Sequence, residues 1–315
     1  MTAAGGLLAV IEAAQRNRAT GRRFALALVT DTEGSTYRKA GALALVAEDG
    51  ERSGTLSGGC LEPALEALAR AVIASGRPDV AVFDTRDDDD LLFGSGSGCR
   101  GRMRVLAWPV PGAGDALLDR LLEAHARQAE LRVWVGVEPP GTGQLAFDAA
   151  HAAAGAPSVR LRPVPRLLLL GAGPEAPPLL RLARTLGWLA EVADHRPGLL
   201  PAERLAGAAA VHAARPAAAL ASLSPPPHAV LVMTHLASAD LEALRALAPL
   251  DVPYVGLLGP PARRDELLAQ LTENERAALR PRLRAPAGLP LGGHGPEAIA
   301  LAIAADLQRH FHAPV

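Results

Sequence analysis

The sequence predicts an α/β protein: an N-terminal mixed α+β domain followed by a Rossmann-like, doubly wound parallel-sheet domain. Three observations predict it. From residue 165 onward, apolar strand runs alternate with helical stripes, the pattern of a parallel sheet covered on both faces. The first of these runs enters the glycine turn GAGPEA at residues 171–176. Before residue 150 the chain is mostly strand runs bounded by turn residues, with few helical stripes.

Composition bounds the setting. The 315 residues leave room for two domains, each with its own core. A net charge of −1 gives no electrostatic reason to expect nucleic acid or an anionic membrane as partner. Lys39 is the only lysine, so the positive charge is nearly all arginine. Two cysteines do not make a secreted disulfide framework. No window approaches the ~18 uninterrupted apolar residues of a membrane span. The expected setting is cytoplasmic, with reduced thiols.

Taken in order, the N-terminal residues read as an amphipathic helix rather than a signal peptide, because Glu12 interrupts the apolar stretch and no basic region precedes it. FALALVTDTEG (24–34) and GALALVAEDG (41–50) are strand runs, and Asp49-Gly50 suits a tight hairpin. Leu61, Leu65, Leu68 and Val72 form a helical stripe. DVAVFDT, RMRVLAWPV and LRVWVGVEP are further strand candidates. Proline and small-residue clusters at 151–164 read as a linker between a 1–150 domain and a 165–315 domain. After it, RLLLL, HAVLVMTH and YVGLLG read as strands, ASADLEALRALA as a helix, and PEAIALAIAADLQRHF as the closing helix.

The turn GAGPEA fits the dinucleotide pattern G-x-G-x-x-G/A. In that reading Gly171 permits the tight turn and Gly173 lets a pyrophosphate approach the backbone, while Ala176 allows close helix packing. Asp194 ends the second strand, where it is positioned to accept from a ribose hydroxyl, and His195 follows it. His235 follows the strand AVLVMT at the carboxyl edge, where open α/β sheets bind ligands. NAD(P) or another nucleotide is the corresponding ligand.

The two cysteines both lie in glycine loops: Cys60 in LSGGCLE and Cys99 in GSGSGCRG. Cys60 lies just ahead of a helical stripe, whose unpaired N–H groups and dipole lower a thiol pKa. Gly58 and Gly59 leave room for a ligand. Around Cys99, glycines including Gly98 favour an anion-binding nest, and Arg100, Arg102 and Arg104 alternate along an extended run. Thr36 and Arg38 lie in a turn between two strands and offer further donors. Two thiols in anion-friendly loops suit a soft metal, a sulfur carrier or an anionic metal complex. The acids at 87–90 read as a solvated loop.

The chain resembles the XdhC/CoxI family of maturation factors for molybdenum hydroxylases. The resemblance rests on GSTYRKAGA (34–42), GTLSGGCLE (54–62) and GSGSGCRGRMRVL (94–106), and on GAGPEA, DHRP, VMTH and YVGLLGPPARR in the second half. It implies an accessory chaperone that binds molybdenum cofactor, protects it while its sulfido ligand is installed, and inserts it into an enzyme such as xanthine dehydrogenase. Carried over, Cys60 and Cys99 become the metal- or sulfur-handling positions, and Gly171 and Gly173 the nucleotide-type turn. Expected partners are the molybdenum hydroxylase, a cysteine desulfurase and a second copy of the chain as homodimer. Arg100, Ala285 and His294 depart from the family pattern. Two other classes remain open: an NAD(P)-dependent oxidoreductase with incidental cysteines, and a scaffold that binds its partner without any ligand.

Overall fold

The computed structural model describes residues 4–59, 61–86, 100–111, 115–139 and 141–312. They form two compact units, one of residues 6–164 and one of residues 165–315 joined by the first five residues.

The N-terminal unit begins with α1 (Gly6–Ala19), which buries Leu8, Val10, Ile11, Ala13 and Ala14. Strands β1 (Phe24–Gly34), β2 (Leu43–Ala47), β3 (Arg52–Ser53), β4 (Asp79–Asp84) and β5 (Gly101–Val110) pair antiparallel in the order β3-β2-β1-β5-β4. Central β1 is buried from Phe24 to Thr30 without alternation, so both of its faces are covered. Helix α2 (Glu62–Ser75) packs on β1 and β5, and its Gly76 cap adopts φ 65°. The predicted Asp49-Gly50 hairpin joins β2 to β3.

Between Val29 and Asp31 the β1–β5 register shifts by a bulge. Beyond it the strands run on to pair Glu33 with Arg102 and Gly34 with Gly101. Bulges re-aim the side chains that follow them. Here the re-aimed segment carries the edge of the candidate site.

After β5 come α3 (Ala116–Ala126), β6 (Leu131–Val135), β7 (Leu145–Ala146) and β8 (Ser158–Leu161). The last three form a small antiparallel sheet in the order β7-β6-β8. The segment 151–164, expected as a linker, therefore contains a strand: Val159 and Leu161 pair with Val133 and Leu131 and are buried. It belongs to the N-terminal unit up to Val164.

The C-terminal unit contains β9 (Arg166–Leu170), α4 (Ala176–Leu186), β10 (Leu189–Ala193), β11 (Ala210–His212), α5 (Pro216–Ser222), β12 (Ala229–Val232), α6 (Ala237–Leu247), β13 (Tyr254–Leu257), α7 (Pro261–Ala269), α8 (Glu273–Leu279), β14 (Leu283–Arg284) and α9 (Pro296–Phe311). Its six strands are all parallel, in the order β11-β10-β9-β12-β13-β14. Counted from β9, this is the 3-2-1-4-5-6 order of dinucleotide-binding sheets. Leu167 and Leu169 join one core with α4 and α9, while Leu168 and Leu170 join the other with α5, α6, α7 and α8. All four leucines are fully buried. Each is worth about 1.5–3 kcal/mol relative to exposure, which is why a continuous apolar run marks this strand. The order reverses between β9 and β12, and their carboxyl ends open the switch-point crevice.

Candidate functional site

In the N-terminal unit, the turn joining β1 to β2 is the meeting point of two loops. Ser35 N donates to the Arg100 carbonyl at 3.1 Å. Gly101 sits so tightly against this turn that a Cβ would lie 2.4 Å from the Ser35 carbonyl oxygen and 2.7 Å from Thr36 Cγ2. Gly58 lies beside Tyr37 of the same turn, whose ring carbons are 3.7 and 3.9 Å from a Cβ built on that glycine. Described residues of both cysteine motifs, Gly58 and Arg100–Gly101, thus abut one turn. Cys60, Cys99 and Gly98 themselves lie outside the described residues.

The turn has its own internal lattice. Thr36 Oγ1 donates to the Arg38 carbonyl at 2.8 Å, and Lys39 Nζ donates to Thr36 Oγ1 and to the Gly34 carbonyl. Arg38 is half-buried. Among the described residues, none hydrogen-bonds or ion-pairs with its guanidinium. Thr36 is therefore a fastener of the turn, and Arg38 the cation it presents.

The loop before α2 is fastened by Ser57, which sequence reasoning missed. Its buried hydroxyl accepts from Gly59 N at 3.1 Å and Leu61 N at 3.2 Å and donates to Glu62 Oε2. One donor and two lone pairs are all used. The two N–H groups flank residue 60 in sequence, so the serine fixes the path of the chain on either side of it. Glu62 lies in the first turn of α2, where a carboxylate offsets the positive end of the helix dipole. The only sequence signal for this network is a small hydroxyl residue ahead of the helix.

The alternating arginines are largely spoken for. Arg102 pairs with Glu33 at 3.1 Å and Asp31 at 3.5 Å, and Arg104 pairs with Asp31 at 3.3 Å and Glu138 at 3.5 Å. They brace the re-aimed ends of β1 and β5 rather than forming an open cationic face. Arg100 lies just before β5, exposed.

In the C-terminal unit, Gly171 adopts φ 124° at the end of β9. A Cβ there would lie 2.3 Å from the Met233 carbonyl oxygen, so the turn is pressed against the end of β12. Asp194, at the end of β10, is 3% exposed. Burial pushes its carboxyl up, but hydrogen bonds from Arg196 and from the Ala172 and Arg196 N–H groups outweigh this and hold it at about 2. The sequence casts Asp194 as the acceptor for a ribose hydroxyl; the structure shows the carboxylate engaged within the chain. Its oxygens already receive Ala172 N, Arg196 N, Arg196 Nε and Arg196 Nη2, all within 2.7–2.9 Å. His195 Nδ1 stands 3.8 Å away.

His235 adopts φ 61°, unusual for a residue with a Cβ. It follows Thr234, whose N–H and hydroxyl both bind buried Asp240. Arg263 closes that carboxylate at 2.7 Å. Held there, His235 Nε2 lies 3.0 Å from Glu175 Oε2. Gly173 lies directly beneath this pair: its added Cβ would be 3.1 Å from Glu175 Oε2 and 3.1 Å from His235 Nε2. Glu175 itself is the N-cap residue of α4 and only 6% exposed. It fills a variable position of the turn pattern, so the pattern gave no reason to single it out.

Fold and loops together define a two-unit α/β protein with a glycine-loop N-terminal unit and a Rossmann C-terminal unit. Residues 167–307 match the XdhC Rossmann domain, and residues 17–84 match the XdhC and CoxI family. The chain belongs to the XdhC and CoxI family. It is 29% identical over 308 residues to a Bacillus subtilis protein named as a probable xanthine dehydrogenase subunit, covering 90% of this chain and 91% of that one. It is 26% identical to the uncharacterized protein YqeB of Escherichia coli, of whose length it spans 43%. A solved Bacillus halodurans structure described as a xanthine dehydrogenase superposes with a TM-score of 0.80 at 29% identity, covering 97% of this chain and 96% of that one. Among the described residues, no helix is long and apolar enough to cross a membrane.

Proposed function

We propose that this protein is an accessory chaperone that binds molybdenum cofactor as cargo, shelters it during sulfuration and passes it to a xanthine dehydrogenase-type molybdenum hydroxylase. Family membership and the name of the Bacillus subtilis relative support the client class. The observation that carries the reading is the convergence of both cysteine-motif flanks on the Ser35–Tyr37 turn.

The chemistry follows from residue types. Thiolates of Cys60 and Cys99 are soft ligands suited to a sulfur-rich metal centre, and are also able to carry sulfane sulfur from a cysteine desulfurase. The half-buried Arg38 guanidinium, unpaired among the described residues, offers a cation to an anionic cargo. Gly58 and Gly59 are exposed and leave the loop approachable. The chain acts in the cytoplasm, where thiols stay reduced, and as a homodimer.

The test is reconstitution of a client hydroxylase from purified apo-enzyme, cofactor, sulfur donor and this protein. Cys60→Ala should lower recovered activity most and Cys99→Ala less. Arg38→Ala should weaken retention of molybdenum and pterin on the purified protein. Full recovery with both cysteines replaced would remove the thiols from the reading.

A further inference from the structure

We infer that the glycine turn of the C-terminal unit is closed to dinucleotides, and that the Glu175 carboxylate is the group that closes it. This stands apart from the cargo reading, which concerns the other unit.

A dinucleotide needs three things at this place in the fold. Its pyrophosphate needs backbone N–H groups at the turn and the helix start. Its ribose needs an acidic side chain with lone pairs to spare. Its body needs the crevice at the switch point to be open. The sequence pattern promises all three, and the side chains withdraw each in turn.

The donors go first. Pro174, Pro177 and Pro178 have no N–H to give. Ala172 N is bound to Asp194 Oδ2 at 2.9 Å, and Ala176 N to the Gly173 carbonyl at 3.2 Å. A helix start with two prolines in its first turn keeps its dipole but has fewer N–H groups with which to grip a phosphate.

The ribose acceptor goes next. An ionised carboxylate offers about four acceptor sites. Asp194 has filled them with Ala172 N and three donors of Arg196.

The crevice is then bridged. Arg196 follows β10 and its Nη2 reaches the carbonyl of Thr234, which follows β12, at 3.0 Å. Strand β9 lies between those two strands, so the guanidinium spans the carboxyl edge of β9, directly at the turn.

The phosphate position itself holds a negative charge. The space that Gly173 leaves open is lined by Glu175 Oε2 and the His235 ring, both 3.1 Å from where a Cβ would sit. Glu175 is nearly buried, with the positive end of α4 beneath it. Its side chain bonds His235 rather than the helix N–H groups, and the carboxylate repels a second anion at that place. Prolines weaken the grip on a phosphate; the carboxylate excludes it.

Calorimetry on the full-length protein tests this with NAD+, NADP+ and inorganic pyrophosphate as probes. The unmodified protein should show no binding tighter than about 1 mM to any of the three. Glu175→Gln keeps the size of the side chain and removes its charge, so pyrophosphate affinity should rise at least about tenfold above that limit. Far-ultraviolet circular dichroism and the melting temperature would establish that the variant is folded. If it is not, Glu175→Gln combined with His235→Asn provides a second neutral pair for the same titration. Micromolar binding of NAD+ or NADP+ by the unmodified protein, lost in Gly173→Val, would overturn the inference. Silence of the folded neutral variants toward pyrophosphate would overturn the assignment to Glu175.

Discussion

Asp194 receives the Arg196 guanidinium on both of its oxygens, Nε at 2.9 Å and Nη2 at 2.7 Å. The same carboxylate holds the turn through Ala172 N. A single buried anion therefore ties the end of β10 to the end of β9, and through Arg196 to the end of β12.

The first prediction is an acid limit on the C-terminal unit. The Asp194 carboxyl titrates near about 2 when folded, below the unfolded value of about 3.9. A depressed carboxylate contributes stability that is fully present above the unfolded pKa and is lost as pH falls through the folded one. Asp194→Asn should therefore cost roughly 2 kcal/mol at neutral pH, and the gap between the two proteins should close between about pH 4 and pH 2. Urea unfolding followed across that range would measure it. A gap independent of pH would place the loss in packing instead.

Ser57→Ala should loosen the loop before α2. It removes the acceptor for Gly59 N and Leu61 N and leaves Glu62 without its hydroxyl donor. The expected cost is about 1–2 kcal/mol in chemical denaturation. Under the proposed function, cargo retention should fall as well, while Ser57→Thr, which keeps the hydroxyl, restores part of both.

Two glycines should behave differently for different reasons. Gly101→Ala would drive a Cβ into the Ser35 backbone carbonyl and the Thr36 side chain, and should cost more than about 2 kcal/mol. Gly59→Ala meets nothing within 4 Å but must hold φ 116°, so its cost should be only about 1 kcal/mol of backbone strain. Parallel melts of the two variants would separate the cases; equal losses would contradict the steric account.

Arg282→Lys should be destabilising although it keeps the charge. The guanidinium donates to the carbonyls of Leu247, Ala248, Leu250 and Val252, and its Nε to Ala278. It satisfies the acceptors left over beyond α6, and a lysine with three donors on one nitrogen cannot span them. The expected loss is about 2–3 kcal/mol, read from denaturant midpoints. Restoration of wild-type stability by Lys would show that charge, not the fork, is what matters.

The parts of the fold that the sequence made legible are those with a long, unambiguous period. Leu167 to Leu170 announce a fully buried strand, and the stripe through Ala300, Ile303 and Leu307 announces the last helix. Strand β8 was obscured because its four residues alternate buried Val159 and Leu161 with a serine and an arginine amid prolines, a pattern shared by linkers. Strand β11 has only three residues. At the candidate sites, residue types were readable but their commitments were not. Asp194 stands where a ribose acceptor belongs, yet nothing in its spacing tells that Arg196 folds back onto it. Arg102 and Arg104 alternate as expected, yet their partners Asp31 and Glu33 lie on another strand.

Gly171 has a consequence for how such turns persist. What forbids a side chain there is the carbonyl of Met233, backbone against backbone at the seam of two neighbouring strands. That demand belongs to the sheet and does not depend on any ligand. A lineage that abandoned the ligand would still lose stability with every substitution at this position, so selection for folding alone would preserve the first letter of the motif. The presence of that glycine in a sequence therefore reports the strand packing and not a bound ligand.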